Sequence, residues 1–251
     1  HTCSGRGNSC TNVNREEGSI SGTLVRFVNK VAEWLEDTHP EMTIFTIAYG
    51  TEARKPTVTA LRDNVVLCYC WNGCNNHRFD GSACSSGGTG GDKRFQNKDD
   101  SKYFQKWSDQ CSEIYAWYYS TNYYAYLAPL STTYNIHYDF FWFAENGCDG
   151  IYAESQSASD FKGLEKAHSY LISNCLWNPY MSEENYQLLI EEYYRMTYGD
   201  GWRYLLEYMD MWIEAGDQLG CWLSNFSQPQ EVLSVKYYAE NYEKMRELFD
   251  K

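Results

Sequence analysis

The sequence lacks any apolar run near the roughly 20 residues that a bilayer-spanning helix needs, and its mean hydropathy of −0.62 fits a water-soluble chain. Basic residues are also scarce, with 21 Lys and Arg against 34 Asp and Glu and a net charge of −13. That balance repels a phosphate backbone, so neither nucleic acid nor a membrane surface is expected as a partner. The chain opens at His1 rather than Met and shows no basic segment or apolar segment before Cys3. Any signal peptide is therefore expected to have been removed or to lie upstream. Length is not lacking: 251 residues allow one large domain or two small ones. A hydrophobic share of 43% excludes a disordered chain.

Aromatics are abundant, with 23 Tyr and 9 Trp. These side chains join an apolar face to a polar edge and suit sugars, although any single one more often builds core. Ten cysteines are more than a cytosolic protein ordinarily carries and point to an oxidising compartment: secreted, cell-surface or periplasmic. Cys68 and Cys70 sit two apart on a strand and share a face, with Cys74, His77 and Cys84 close by. Disulfides, among the loop cysteines or with Cys3 and Cys10, are the expected reading, with a structural metal and free thiols as the alternatives. The spacing is not a paired zinc knuckle, so no metal and no cofactor are assigned.

Periodicity sets out the elements. Residues 1–19 read as a loop, in which Glu16 and Glu17 suit a solvated helix N-terminus and Ser19 and Ser21 suit its cap. Leu24, Phe27, Val28, Val31, Trp34 and Leu35 then recur at helical spacing, predicting a helix over 20–37 with one apolar stripe. Runs at 43–49, 64–70, 113–119 and 149–154 are β-branched or aromatic and bounded by turn residues, as buried parallel strands are. Helices near 101–111 and 132–146 separate the later strands. Four strands with helical connections make an α/β array, and the stretch 72–100 is too long for an ordinary connection. After residue 158 only helices are predicted, near 160–176, 182–198, 201–219 and 231–250, with Pro179, Gly199 and Gly220 as punctuation. The expected organisation is an α/β region over 1–157 and a helical subdomain over 158–251.

Several motifs together carry a resemblance. They are Glu17-Gly18-Ser19-Ile20-Ser21-Gly22, Phe27-Val28-Asn29, Ile47-Ala48-Tyr49, Asp63-Asn64-Val65-Val66, Tyr115-Ala116-Trp117-Tyr118-Tyr119 and Leu176-Trp177-Asn178-Pro179. In order and spacing they resemble a bacterial family first catalogued as a domain of unknown function. That family sits among the (β/α)₈ glycoside hydrolases, with endo-β-N-acetylglucosaminidase relatives. The resemblance implies that the four strands are the second half of a (β/α)₈ barrel. Half a barrel leaves exposed edges, so a partner chain or an upstream half is expected to complete it.

Barrel chemistry gathers at the C-terminal ends of the strands, where this chain places Tyr49, His77, Trp117, Tyr118 and Glu154. Glycoside hydrolysis needs a carboxylic acid to protonate the leaving oxygen. Glu154 is the candidate catalytic residue, with sugar-hydroxyl binding or a purely structural pairing as its other readings. Tyr49, Trp117, Tyr118 and His77 are the candidate substrate-binding residues, Trp117 as a stacking platform. Glu16 and Glu17 flank the same region. The resemblance also implies a departure: Tyr118 stands where family members often carry Asp, and the main acid of related barrels follows a fourth strand not seen here. Three readings follow. The first is a glycosidase acting on N-acetylhexosamine-containing glycans or glycoproteins. The others are a non-catalytic carbohydrate-binding protein and a structural or interaction module. The Asn225-Phe226-Ser227 triplet also fits a glycosylation sequon.

Overall fold

A computed structural model describes residues 9–71, 73–74, 77–82, 97–125, 131–155, 164, 166–218 and 225–251. The chain forms a four-stranded parallel sheet with helices and a helical C-terminal region. The strands are β1 (Ile44–Tyr49), β2 (Val65–Cys70), β3 (Ile114–Tyr119) and β4 (Gly150–Glu154), hydrogen-bonded in that order. Each begins within one residue of its expected start. The register aligns Tyr49 with Cys70 and Cys70 with Trp117, so the strand ends lie level across the first three strands. The helices are α1 (Ser9–Glu16), α2 (Gly22–Thr38), α3 (Asn97–Ser108), α4 (Ile136–Glu145), α5 (Lys166–Trp177), α6 (Glu183–Tyr198), α7 (Trp202–Asp217), α8 (Pro229–Val232) and α9 (Val235–Phe249).

Helix α1 replaces an expected loop. Its composition is polar, and it is held by the Asn14 side chain, whose Oδ1 accepts from Thr23 N at 3.1 Å and Thr23 Oγ1 at 2.7 Å. Gly18, at φ 64°, then reverses the chain into α2. Ser19 and Ser21 make no side-chain cap. Both hydroxyls instead donate to the carbonyl of Arg54, at 2.5 and 2.6 Å.

Two compact units make up the chain. The first comprises His1–Asn72, Asp100–Tyr118 and Phe143–Tyr152. Here one sheet face packs on helices: Tyr69 meets Phe104 edge-on at 5.7 Å, Phe104 meets Phe143 at 5.2 Å, and α2 buries Val25, Val28 and Ala32. Val65, Leu67, Ile114, Ala116 and Tyr118 complete this buried layer. On the opposite face the β2 residues Val66, Cys68 and Cys70 are buried, while Phe45, Ile47, Tyr49 and Tyr152 are exposed and Tyr115 and Trp117 half-buried. The α2 stripe splits in the same way: Phe27, Val31 and Trp34 are exposed.

The second unit comprises Gly73–Asp99, Tyr119–Trp142 and Ala153–Lys251. Its helices bury Leu171, Ile172, Tyr186, Ile190 and Tyr194, and a cluster of Met211, Trp212, Val232 and Met245. Ser182 caps α6 by accepting from Asn185 N at 3.2 Å, and Gly199, at φ 59°, ends it as its sequence position anticipates. No helix among the described residues is long and apolar enough to cross a membrane.

Candidate functional site

The end of β4 and the turn after β3 build a site in the second unit. The Glu154 backbone carbonyl accepts from Ser120 N and Ser120 Oγ, each at 2.9 Å. Its carboxylate accepts a hydrogen bond from the Tyr123 hydroxyl. Tyr123 in turn stacks on Phe226 with ring centroids 5.1 Å apart and planes at 26°, and meets Tyr119 edge-on at 6.3 Å. Asn122 shapes the turn. Its Oδ1 accepts from Tyr124 N at 2.9 Å and its Nδ2 donates to the Ser227 carbonyl at 2.7 Å, while Tyr123 N donates to Asn225 O at 2.7 Å. The carboxylate is thus oriented by a phenol that is itself wedged between aromatic rings.

Sequence reasoning places Glu154 at a strand end, where the structure has it, but gives no sign of Tyr123, Asn122 and Phe226 beside it. Tyr123 belongs to the visible aromatic run after β3, but nothing local links it to a carboxylate 31 residues away. Asn225 is buried, so the sequon is inaccessible in the folded chain.

His77 is buried beside Cys74, whose Sγ lies 3.4 Å from His77 Nδ1. Burial lowers the His77 pKa, opposed by the charge of Asp217. The reverse holds at Asp217, which burial raises and His77 lowers. Asn97 clamps the turn. Its Nδ2 donates to the carbonyls of Cys74, His77 and Arg78 at 2.9, 2.9 and 3.0 Å, and its Oδ1 accepts from Cys74 N at 2.7 Å. Among the described residues, no three His, Cys, Asp or Glu side chains converge as a metal site would require.

In the first unit, Trp117 pairs with Tyr152 at 4.4 Å on the sheet face opposite the helices, in register with Cys70 and hence with Tyr49. Tyr118 requires a correction. It is 0% exposed and packs against Trp71 at 5.4 Å, because strand alternation turns it to the helix side when Trp117 faces out. It cannot meet a ligand from there. Glu17 is likewise not a solvated helix terminus. It is 0% exposed, and its carboxylate pairs with Arg26 Nε at 2.6 Å and accepts from Thr59 N at 2.9 Å and Thr59 Oγ1 at 2.5 Å. Burial pushes its carboxyl up, but the bonds from Thr59 and Arg26 outweigh this and hold it below the usual value. Glu17 therefore pins the loop before β2 to α2, and its oxygens are committed to that task.

No disulfide joins any two described cysteines; Cys3, Cys84 and Cys221 lie outside the described residues. Cys111, Cys148 and Cys175 are free thiols that burial pushes up to about 12, so they stay protonated. Cys68 differs: a hydrogen bond with Cys70 lowers its pKa against the burial that raises it.

A parallel α/β sheet carrying a carboxylate and aromatic rings near its strand ends, followed by a helical region, defines the class of the protein. Residues 2–210 match the model of a family described as a domain of unknown function (DUF4838), and the chain belongs to that family. No curated protein and no solved structure matches it.

Proposed function

We propose that the protein is a glycoside-hydrolase-like protein of endo-β-N-acetylglucosaminidase type, acting on glycans or glycoproteins that carry N-acetylhexosamine. The observation that carries this reading is Glu154 at the C-terminal end of β4, its carboxylate held by Tyr123 among aromatic rings. A carboxyl group so placed protonates a leaving glycosidic oxygen or binds a sugar hydroxyl, and the rings supply faces for a pyranose. On the cysteine count alone we place it in a secreted, cell-surface or periplasmic location, although no disulfide joins any two of the seven described cysteines.

The test is release of N-glycans from a glycoprotein, followed by mass spectrometry, with Glu154→Gln beside the parent chain. General acid catalysis contributes about 10²–10⁴-fold, so the substitution is expected to lower release by at least a hundredfold while the fold persists. Unchanged release by Glu154→Gln would remove Glu154 from the chemistry. Binding without release by the parent would favour the second reading, a carbohydrate-binding protein.

The bare side of the first unit supports a partner. Among the described residues, strand β1 is bonded only to β2, its Phe45, Ile47 and Tyr49 are exposed, and α2 exposes Phe27, Val31 and Trp34. Parallel sheets are ordinarily covered on both faces, and a closed barrel has no edge. A further β/α half, adding a parallel strand to β1 and a helix over the α2 stripe, covers all three features. The native protein from its source is accordingly expected to have an intact mass well above 29.3 kDa, or to be held in a complex. A monomer of that mass would overturn the completed-barrel reading.

A further inference from the structure

The segment 225–227 inverts the usual pattern of burial. Asn225 is 1% exposed and Ser227 is buried, while Phe226 between them is 43% exposed. The turn after β3 does the same, burying Asn122 and leaving Tyr124 61% exposed. Each segment thus turns a ring to solvent beside a buried polar side chain, and the two rings together present apolar surface that a ligand would cover. The two exposed rings form a corner, with centroids 5.7 Å apart and planes at 69°. The main chain that carries them is held by bonds already made in the protein: Tyr123 N to Asn225 O, Asn122 Nδ2 to Ser227 O, and Tyr124 N to Asn122 Oδ1. Behind Phe226 lies Tyr123, whose hydroxyl is on Glu154.

We infer that Phe226 and Tyr124 are a preorganised stacking subsite for one pyranose ring of an N-acetylhexosamine oligosaccharide, with Tyr123 lying between Phe226 and the Glu154 carboxylate. The inference rests on the glycan reading of the Glu154 site and adds the residues that hold the sugar. The chemistry fits. The C–H face of the sugar covers apolar surface on Phe226 and its edge meets Tyr124. Because the main chain that carries the two rings is fixed before binding, little backbone entropy is lost when the sugar arrives.

The test is isothermal titration of the full chain with N,N′-diacetylchitobiose, alongside glycan release. Phe226→Ala is expected to weaken binding about tenfold, the loss of one stacking contact. Phe226→Tyr, which keeps the ring, is expected to restore affinity to within about twofold of the parent. Melting curves check that both variants fold, which is expected because Phe226 is partly exposed. Unchanged affinity in Phe226→Ala, with release still lost in Glu154→Gln, would overturn the platform and leave the glycan reading standing. Absence of both binding and release in the parent would overturn the glycan reading and this inference with it. Equal loss in Phe226→Ala and Phe226→Tyr would show that the ring face is not the contact.

Discussion

Replacing Asn97 with alanine is expected to destabilise the protein by about 3 kcal/mol, since its two amide N–H groups, shared among three carbonyls, and its one accepting oxygen amount to three hydrogen bonds at roughly 1 kcal/mol each. Asn97 is 0% exposed, and alanine leaves the carbonyls and the N–H that it serves without these bonds. Against a total stability of about 5–15 kcal/mol, such a loss is large. Urea unfolding measures it as a lower midpoint at unchanged slope. Aspartate at this position separates the clamp from simple filling of volume. Asn97→Asp keeps an acceptor for Cys74 N but turns carboxylate oxygens towards the carbonyls of Cys74, His77 and Arg78. It is expected to cost at least as much as alanine. A cost under about 1 kcal/mol for both variants would mean that the 74–78 turn holds itself, and that His77 owes its position to other contacts.

Acid is expected to produce the second large effect, through His168. Its ring is fully enclosed in the second unit, with Nε2 2.8 Å from Thr133 Oγ1 and Nδ1 3.4 Å from the Ser120 carbonyl. Burial pushes its pKa down to about 4, against the backbone bond to Ser120, which raises it. Because the unfolded imidazole titrates near 6.5, the unfolded chain takes up a proton that the folded chain refuses between pH 6.5 and about 4. Stability is therefore full above pH 6.5 and falls as the pH drops through that window, by about 3 kcal/mol in all. His77 is lowered by burial too and adds to the loss in the same window. The contribution of His168 is the difference between the parent and His168→Gln in urea midpoints measured at pH 7 and pH 5. The variant is expected to start less stable and to show a shallower pH slope, and an identical slope would exclude His168 as a source. The effect reaches the site, since Ser120 accepts from His168 and donates to the Glu154 carbonyl.

Both predictions concern buried polar groups, and these were the part of the molecule least visible beforehand. Strand and helix positions were legible because they depend on local periodicity. The apolar runs before Gly50, Trp71 and the Ser120 turn form strands wherever the chain can pair them, and Gly199 ends a helix because its backbone adopts a positive φ at little cost. Parallel order was legible too, from continuous apolar strands joined by helical connections. The polar helix α1 was not, because its stability comes from the bonds of Asn14 to Thr23 rather than from a stripe of its own.

By itself, then, the sequence determined the parallel α/β sheet, the helical C-terminal region and Glu154 at a strand end, since each depends on neighbours within a few positions in the chain. Tertiary structure alone decided which face of β3 stays open, exposing one side of Trp117 and enclosing Tyr118. It also decided that Glu17 is buried against Arg26 and Thr59, and that Tyr123 reaches Glu154. The physical reason is that burial and hydrogen-bond pairing join residues tens of positions apart. Alternation along a strand says that two faces differ, and only packing says which one is covered.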